Sequence, residues 1–345
     1  MERRDFIRTS GMASAFCASG IAAIACSGKA NTPVNKRDAV LELIHGDKPQ
    51  DYIPGGFFMH FDRKFHTGEA AIEKHLEYFR HTGMDFIKIQ YEQEFPKIPD
   101  IQKPGDWSKM PLYKNDFYEE PLEVIKGIIN KAKKEAPVIA TFYSPFSCAG
   151  STSSNELLTA HLEEDPEQVK KGLEIITESL MIYVKECIKL GVDGFLQSTQ
   201  GGEGGRFSDY RLFTDYVKPF DIIVGKEMEE HCHCNILHIC DGNGDYDDYS
   251  AFLDYPGHII NSSLQLRNGT LSTKDMYQLF NKPFMGGMDK RGILVSGTQE
   301  EIISEVDGVL SEAPEKFILA ASCTLPGNTD WNNIKLALDT AHKLH

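Results

Sequence analysis

Positive charge is what this chain of 345 residues is short of: 36 Lys and Arg stand against 51 Asp and Glu, a formal net charge of −15. Phosphates are repelled by such a surface, which excludes nucleic acid and an anionic membrane surface as partners. Internal repeats and low-complexity segments are absent, so a solenoid is excluded. The weakly apolar run over residues 11–25 is broken by Ser and Gly. It falls short of the roughly 20 apolar residues that span a membrane. A phosphate loop is also missing, because Gly201-Gly202-Glu203-Gly204-Gly205 lacks the Gly-Lys-Ser/Thr ending. A flap closing on glycine hinges fits that stretch, and so does an ordinary flexible loop. Cysteine is sparse, with six residues beyond position 30. A chain this long has core enough to do without disulfides, leaving metal ligation or plain burial as their fates.

What is present begins with an address. Arg3-Arg4-Asp5-Phe6-Ile7-Arg8 matches the twin-arginine export pattern, and Ala23-Ile24-Ala25-Cys26 resembles a lipobox with Ala in place of the usual Leu. The expectation is a signal segment over residues 1–30 and an exported protein on the periplasmic side. Its one membrane attachment is then a lipid on Cys26. Residues 31–51 read as a tether and leading helix, and residues 52–345 as a single domain.

Within that domain strand and helix patterns alternate. Strands are predicted over residues 55–61, 85–91, 137–143, 192–198, 235–240, 259–264, 283–288 and 317–322, with helices between them. Residues 147–154, rich in Ser, read as a loop. Eight such units predict an α/β fold of the (β/α)8 TIM-barrel type rather than an open sheet. Sites in such barrels form at the carboxyl ends of the strands. That rule selects His60, Glu92, Glu94, Tyr143, Gln200, Asp289 and Cys323.

Asn235-Ile236-Leu237-His238-Ile239-Cys240 is the stretch with the most chemistry. Alternation on a strand points His238 and Cys240 to one face and Leu237 and Ile239 to the other. One imidazole and two thiolates, with Cys323 as the third ligand, form a zinc set that leaves a position open. A hydrogen-bonded His beside a small buried Cys reads equally well from the pattern alone. His231-Cys232-His233-Cys234 is denser but precedes the strand. Six residues at about 3.3 Å place it nearly 20 Å from the catalytic face.

Several segments together resemble the uroporphyrinogen decarboxylase superfamily. They are Leu190-Gly191-Val192-Asp193-Gly194-Phe195, Leu237-His238-Ile239-Cys240, Gly286-Gly287-Met288-Asp289, Ser296-Gly297-Thr298-Gln299-Glu300-Glu301 and residues 318–326. In motif the chain is most similar to the corrinoid-dependent branch, the methylcobamide:coenzyme M methyltransferases. That resemblance implies a (β/α)8 barrel and zinc on His238, Cys240 and Cys323. It also implies a methylated corrinoid, carried by a corrinoid protein, as methyl donor to a small thiol. Glu92 and Asp289 are then the candidate catalytic groups, and His60, Tyr143 and Gln200 the candidate substrate contacts. Met59-His60-Phe61-Asp62-Arg63 and Gln90-Tyr91-Glu92 depart from the propionate-holding pattern of the decarboxylases. Two alternatives remain: a decarboxylase-like lyase acting on a tetrapyrrole, and a non-catalytic exported binder of a thiol or corrinoid.

Overall fold

Seven parallel strands follow the chain in order around one sheet. They are β1 Ile87–Ile89, β2 Val138–Tyr143, β3 Gly194–Thr199, β4 Ile236–Ile239, β5 Ile259–Ser262, β6 Phe284–Met288 and β7 Phe317–Ala321. The computed structural model describes residues 34–90 and 93–343, so the arginine pair, Cys26 and Glu92 lie outside the described residues. From Asn35 onward the chain forms one compact unit.

The eighth position belongs to residues 55–61, predicted as the first strand. It is occupied, but by two isolated parallel bridges, Gly55 to Leu319 and Met59 to Leu325, rather than a continuous ladder. Backbone bonds on both sides complete the ring. The Gly56 N–H donates to the Leu319 carbonyl at 3.0 Å, and the Asp85 N–H to the Gly55 carbonyl at 2.9 Å. The fold is therefore a (β/α)8 barrel.

Side chains explain the missing ladder. The Gly55 N–H donates to Asp85 Oδ2 at 2.8 Å, while Tyr78 Oη donates to the Phe57 carbonyl at 2.8 Å. Gln90 Nε2 donates to the Met59 carbonyl at 2.6 Å. Every buried backbone group needs a partner, and here side chains replace the neighbouring strand.

Alternation sorts the strand residues into two cores. Leu237 and Ile239 join the larger cluster, which packs strands against helices. Phe58, Phe86, Ile139, Leu196, Ile236, Ile259, Met285 and Ile318 form the second, with members drawn from around the ring. They fill the barrel interior. Val40 and Leu43, from the helix Lys36–His45, belong to that same cluster. The leading helix therefore plugs the barrel instead of preceding it. Asn35 caps it, and Arg37 Nη1 bonds Asp193 Oδ2 at 2.7 Å.

The Ser-rich stretch is a helix, Pro145–Thr152, not a loop. Pro145 supplies a preset φ in the first turn, and Ser144 Oγ accepts the Ser147 N–H. Pro166 and Pro219 start new helices, Pro166–Leu190 and Lys218–His231, where the pattern alone reads on without a break.

Candidate metal centre and its chamber

Above the interior core the same inward faces turn polar. Ile236 is followed two and four residues on by His238 and Cys240, Leu196 by Ser198 and Gln200, Ile139 by Thr141 and Tyr143, and Phe58 by His60. The period of two that fills the barrel thus also builds its mouth.

His238, Cys240 and Cys323 converge there, with one ligand atom from each lying within 4.8 Å of the others. Cys323 Sγ stands 3.4 Å from His238 Nε2. In the sheet, β4 and β7 are separated by β5 and β6. Asn261 on β5 bridges that gap, its Nδ2 donating to the Met285 carbonyl at 2.8 Å and to the Ala321 carbonyl at 3.1 Å. Cys323 follows two residues after Ala321. Among the described residues this is the one group of three or more His, Cys, Asp or Glu spaced for a metal. Cys232 and Cys234 lie at the other end, where the Cys234 N–H bonds the Asp193 carbonyl ahead of β3. Both are buried, and burial pushes the Cys232 thiol up to about 12.

The two site thiols are shifted in opposite directions. The hydrogen bond from Cys323 holds Cys240 well below the ordinary thiol range against the effect of burial, with His238 and Gln200 adding to it. The same contact, together with burial, pushes Cys323 up. His238 Nδ1 is buried with no hydrogen-bond partner. Gly242 leaves room beside the centre, since a Cβ there would come within 3.3 Å of Cys240 Sγ. An imidazole nitrogen, Nε2, two sulfurs and open space beside them fit a zinc ion.

Next to this trio lies a chamber of about 390 Å³. His60, Tyr143, Gln200 and Cys240 line it, as does Glu94. The helix Pro145–Thr152 supplies one wall through Ser147, Cys148 and Ser151. Gln200 links wall to centre. Its Nε2 donates to Cys240 Sγ at 3.4 Å, and its Oε1 accepts from Asn243 Nδ2 at 2.9 Å and Ser147 Oγ at 3.3 Å.

Asp289 stands apart, exposed and absent from the lining, with Oδ1 accepting the Arg291 N–H at 2.6 Å. That local turn draws the carboxylate back onto its own backbone. Its neighbour Lys290 is the residue that pattern reasoning missed. Burial works against its charge, yet its pairing with Asp241 and the nearness of the two sulfurs raise its pKa. The glycine-rich stretch is tied down. The Gly201 N–H donates to Glu203 Oε2 at 3.0 Å, and the Gly204 N–H to the Asp245 carbonyl at 3.0 Å. Gly202 packs so close to Phe252 and Phe213 that a Cβ would meet their ring carbons at 2.9 and 3.1 Å.

The family model for uroporphyrinogen decarboxylase (URO-D) matches residues 78–344. The chain belongs to the uroporphyrinogen decarboxylase family. Curated relatives within reach of this URO-D chain are of two kinds. The uroporphyrinogen decarboxylase of Aquifex aeolicus is 23% identical over 67% of this chain and 65% of its own length. The methylcobamide:CoM methyltransferase MtbA of Methanosarcina acetivorans is 25% identical over 64% of this chain and 62% of its own. The match thus spans just under two thirds of those relatives. A solved methyltransferase from Methanosarcina mazei superposes with a TM-score of 0.71 at 16% identity, covering 89% of this chain and 98% of that one. That likeness shows the (β/α)8 fold, and the relatives are enzymes.

Proposed function

We propose that the protein is a zinc-dependent methyl or alkyl transferase that activates a thiol acceptor at His238, Cys240 and Cys323. The observation that carries this reading is the convergence of one imidazole and two sulfurs within 4.8 Å beside a polar chamber. Zinc held there would leave one position open and draw the proton from a thiol entering it. The chain's own groups do the remainder. Gln200 holds Cys240 through its amide, and His60 and Tyr143 sit where they would orient the acceptor. Glu94 lines the chamber, and it or Glu92, which lies outside the described residues, would receive the thiol proton. The acceptor sulfur forms the new S–C bond as the methyl group's bond to its donor breaks, and that electron pair leaves with the donor. The donor proposed is a methylated corrinoid on a partner corrinoid protein, in keeping with the methylcobamide:CoM methyltransferase relatives.

Decarboxylation of a tetrapyrrole is the second reading, favoured by the Aquifex aeolicus relative. Against it, Arg63 is exposed and does not line the chamber, so the propionates lack their cation. Export through the paired arginines and anchoring through Cys26 belong to the same proposal. Metal analysis with an assay of thiol methylation tests it. About one zinc per chain and turnover of a methylated corrinoid with a thiol are expected. A Cys240–Cys323 disulfide in protein isolated without oxidant would overturn it, and turnover of a porphyrinogen instead would favour the second reading.

A further inference from the structure

The chamber beside the centre has a composition that selects its ligand. Among its described lining residues there is no Lys or Arg, and Glu94 is the one carboxylate. The rest of its polar surface comes from the His60 imidazole and from amides and hydroxyls, chiefly those of Gln93, Asn155, Gln200, Asn243, Ser147 and Ser198. Lys290, Arg206 and Lys97 are already engaged. Lys290 pairs with Asp241, and Arg206 with Glu203 while its Nη1 donates to Thr159 Oγ1 at 3.3 Å. Lys97 Nζ donates to the Ser153 carbonyl at 2.6 Å. The start of the helix Pro145–Thr152 offers an anion little, since Ser144 Oγ already takes the Ser147 N–H at 3.3 Å.

An anionic group entering this space would lose water and find no Lys or Arg in the lining to pair with, which disfavours it. Hydroxyls and amides lose little, because the chamber offers donors and acceptors of the same strength. A volume of about 390 Å³ suits a small molecule. The geometry points to an acceptor that is a small, uncharged thiol bearing hydroxyl or amide groups, not a thiol carrying a sulfonate or carboxylate. This rests on the thiol reading above and names the substrate class for that site.

Two thiols of equal length test it, 2-mercaptoethanol and 2-mercaptoethanesulfonate, which differ only in the terminal group. Calorimetric titration of the zinc-loaded full chain should give the hydroxyl thiol at least tenfold tighter binding. Ser147→Lys, which places a cation in the wall, should shrink or reverse that ratio. Equal or tighter binding of the sulfonate by the unaltered protein overturns the inference and leaves the thiol chemistry standing. Heat from neither thiol, in protein carrying its zinc, would sink the thiol reading and this inference with it.

Discussion

At the scale of single residues the centre depends on groups that are not themselves ligands. Asn261 gathers β5, β6 and β7 by donating to the Met285 and Ala321 carbonyls. Its removal strands two buried acceptors, each worth about 1–3 kcal/mol. Asn261→Ala should therefore lower stability by roughly 2–4 kcal/mol in urea unfolding and weaken metal retention, because Cys323 is positioned through Ala321. An unchanged unfolding midpoint would remove Asn261 from this role. Cys323→Ala should cost most of the bound zinc, since two ligands from one strand cannot enclose a tetrahedral ion. Cys232→Ala and Cys234→Ala should leave zinc content as it was. Metal loss in either of the latter would place the centre at the wrong end of the barrel.

Elements meet through polar contacts that local pattern does not reveal. Asp221 in the helix Lys218–His231 is fully buried, bonded by Thr199 at the end of β3 and by Tyr255 Oη at 3.1 Å. Its second oxygen, Oδ1, has no partner. Burial raises its pKa from 3.8 to about 7, against those two hydrogen bonds. The folded state thus holds a proton that the unfolded chain releases near pH 4. Stability from this group is complete below pH 4 and is lost as pH climbs to 7. Asp221→Asn should therefore gain on the wild type by on the order of 2–4 kcal/mol between pH 4 and pH 8. Urea titrations at both pH values would show this, and a pH-independent difference would mean that Asp221 is ionised when folded.

For the whole molecule, the barrel is closed at one end by the helix Lys36–His45 and open at the other toward the chamber. Val40→Asp puts a charge into the interior core, where Val40 is 0% exposed, and should destabilise the fold by about 3 kcal/mol or more. A thermal melt unchanged from the wild type would show that the plug is dispensable. Cellular placement is tested separately. Changing Arg3 and Arg4 to Lys should hold the precursor in the cytoplasm, and replacing Cys26 should release the protein from the membrane fraction. Normal export of the first variant, or membrane association of the second, would refute the corresponding step.

The order of strands, their alternation and the trio His238, Cys240 and Cys323 were legible in the sequence, because a period of two fixes which side chains share a face and the carboxyl ends of barrel strands pick out Cys323. Glycines and prolines likewise marked several boundaries, as at Gly83 and Gly191, both left-handed helix caps. Barrel closure was expected, but not the way in which the first strand makes it. The first strand became two bridges because Asp85, Tyr78 and Gln90 supply its backbone partners from elsewhere in the chain. Cys323 reached His238 across two intervening strands through Asn261, and Lys290 replaced Asp289 beside the sulfurs because Asp289 bonds its own turn. Local periodicity sets the direction of a side chain. Distance across a barrel mouth depends on closure and on contacts between residues far apart in the chain, and only the tertiary structure decided those.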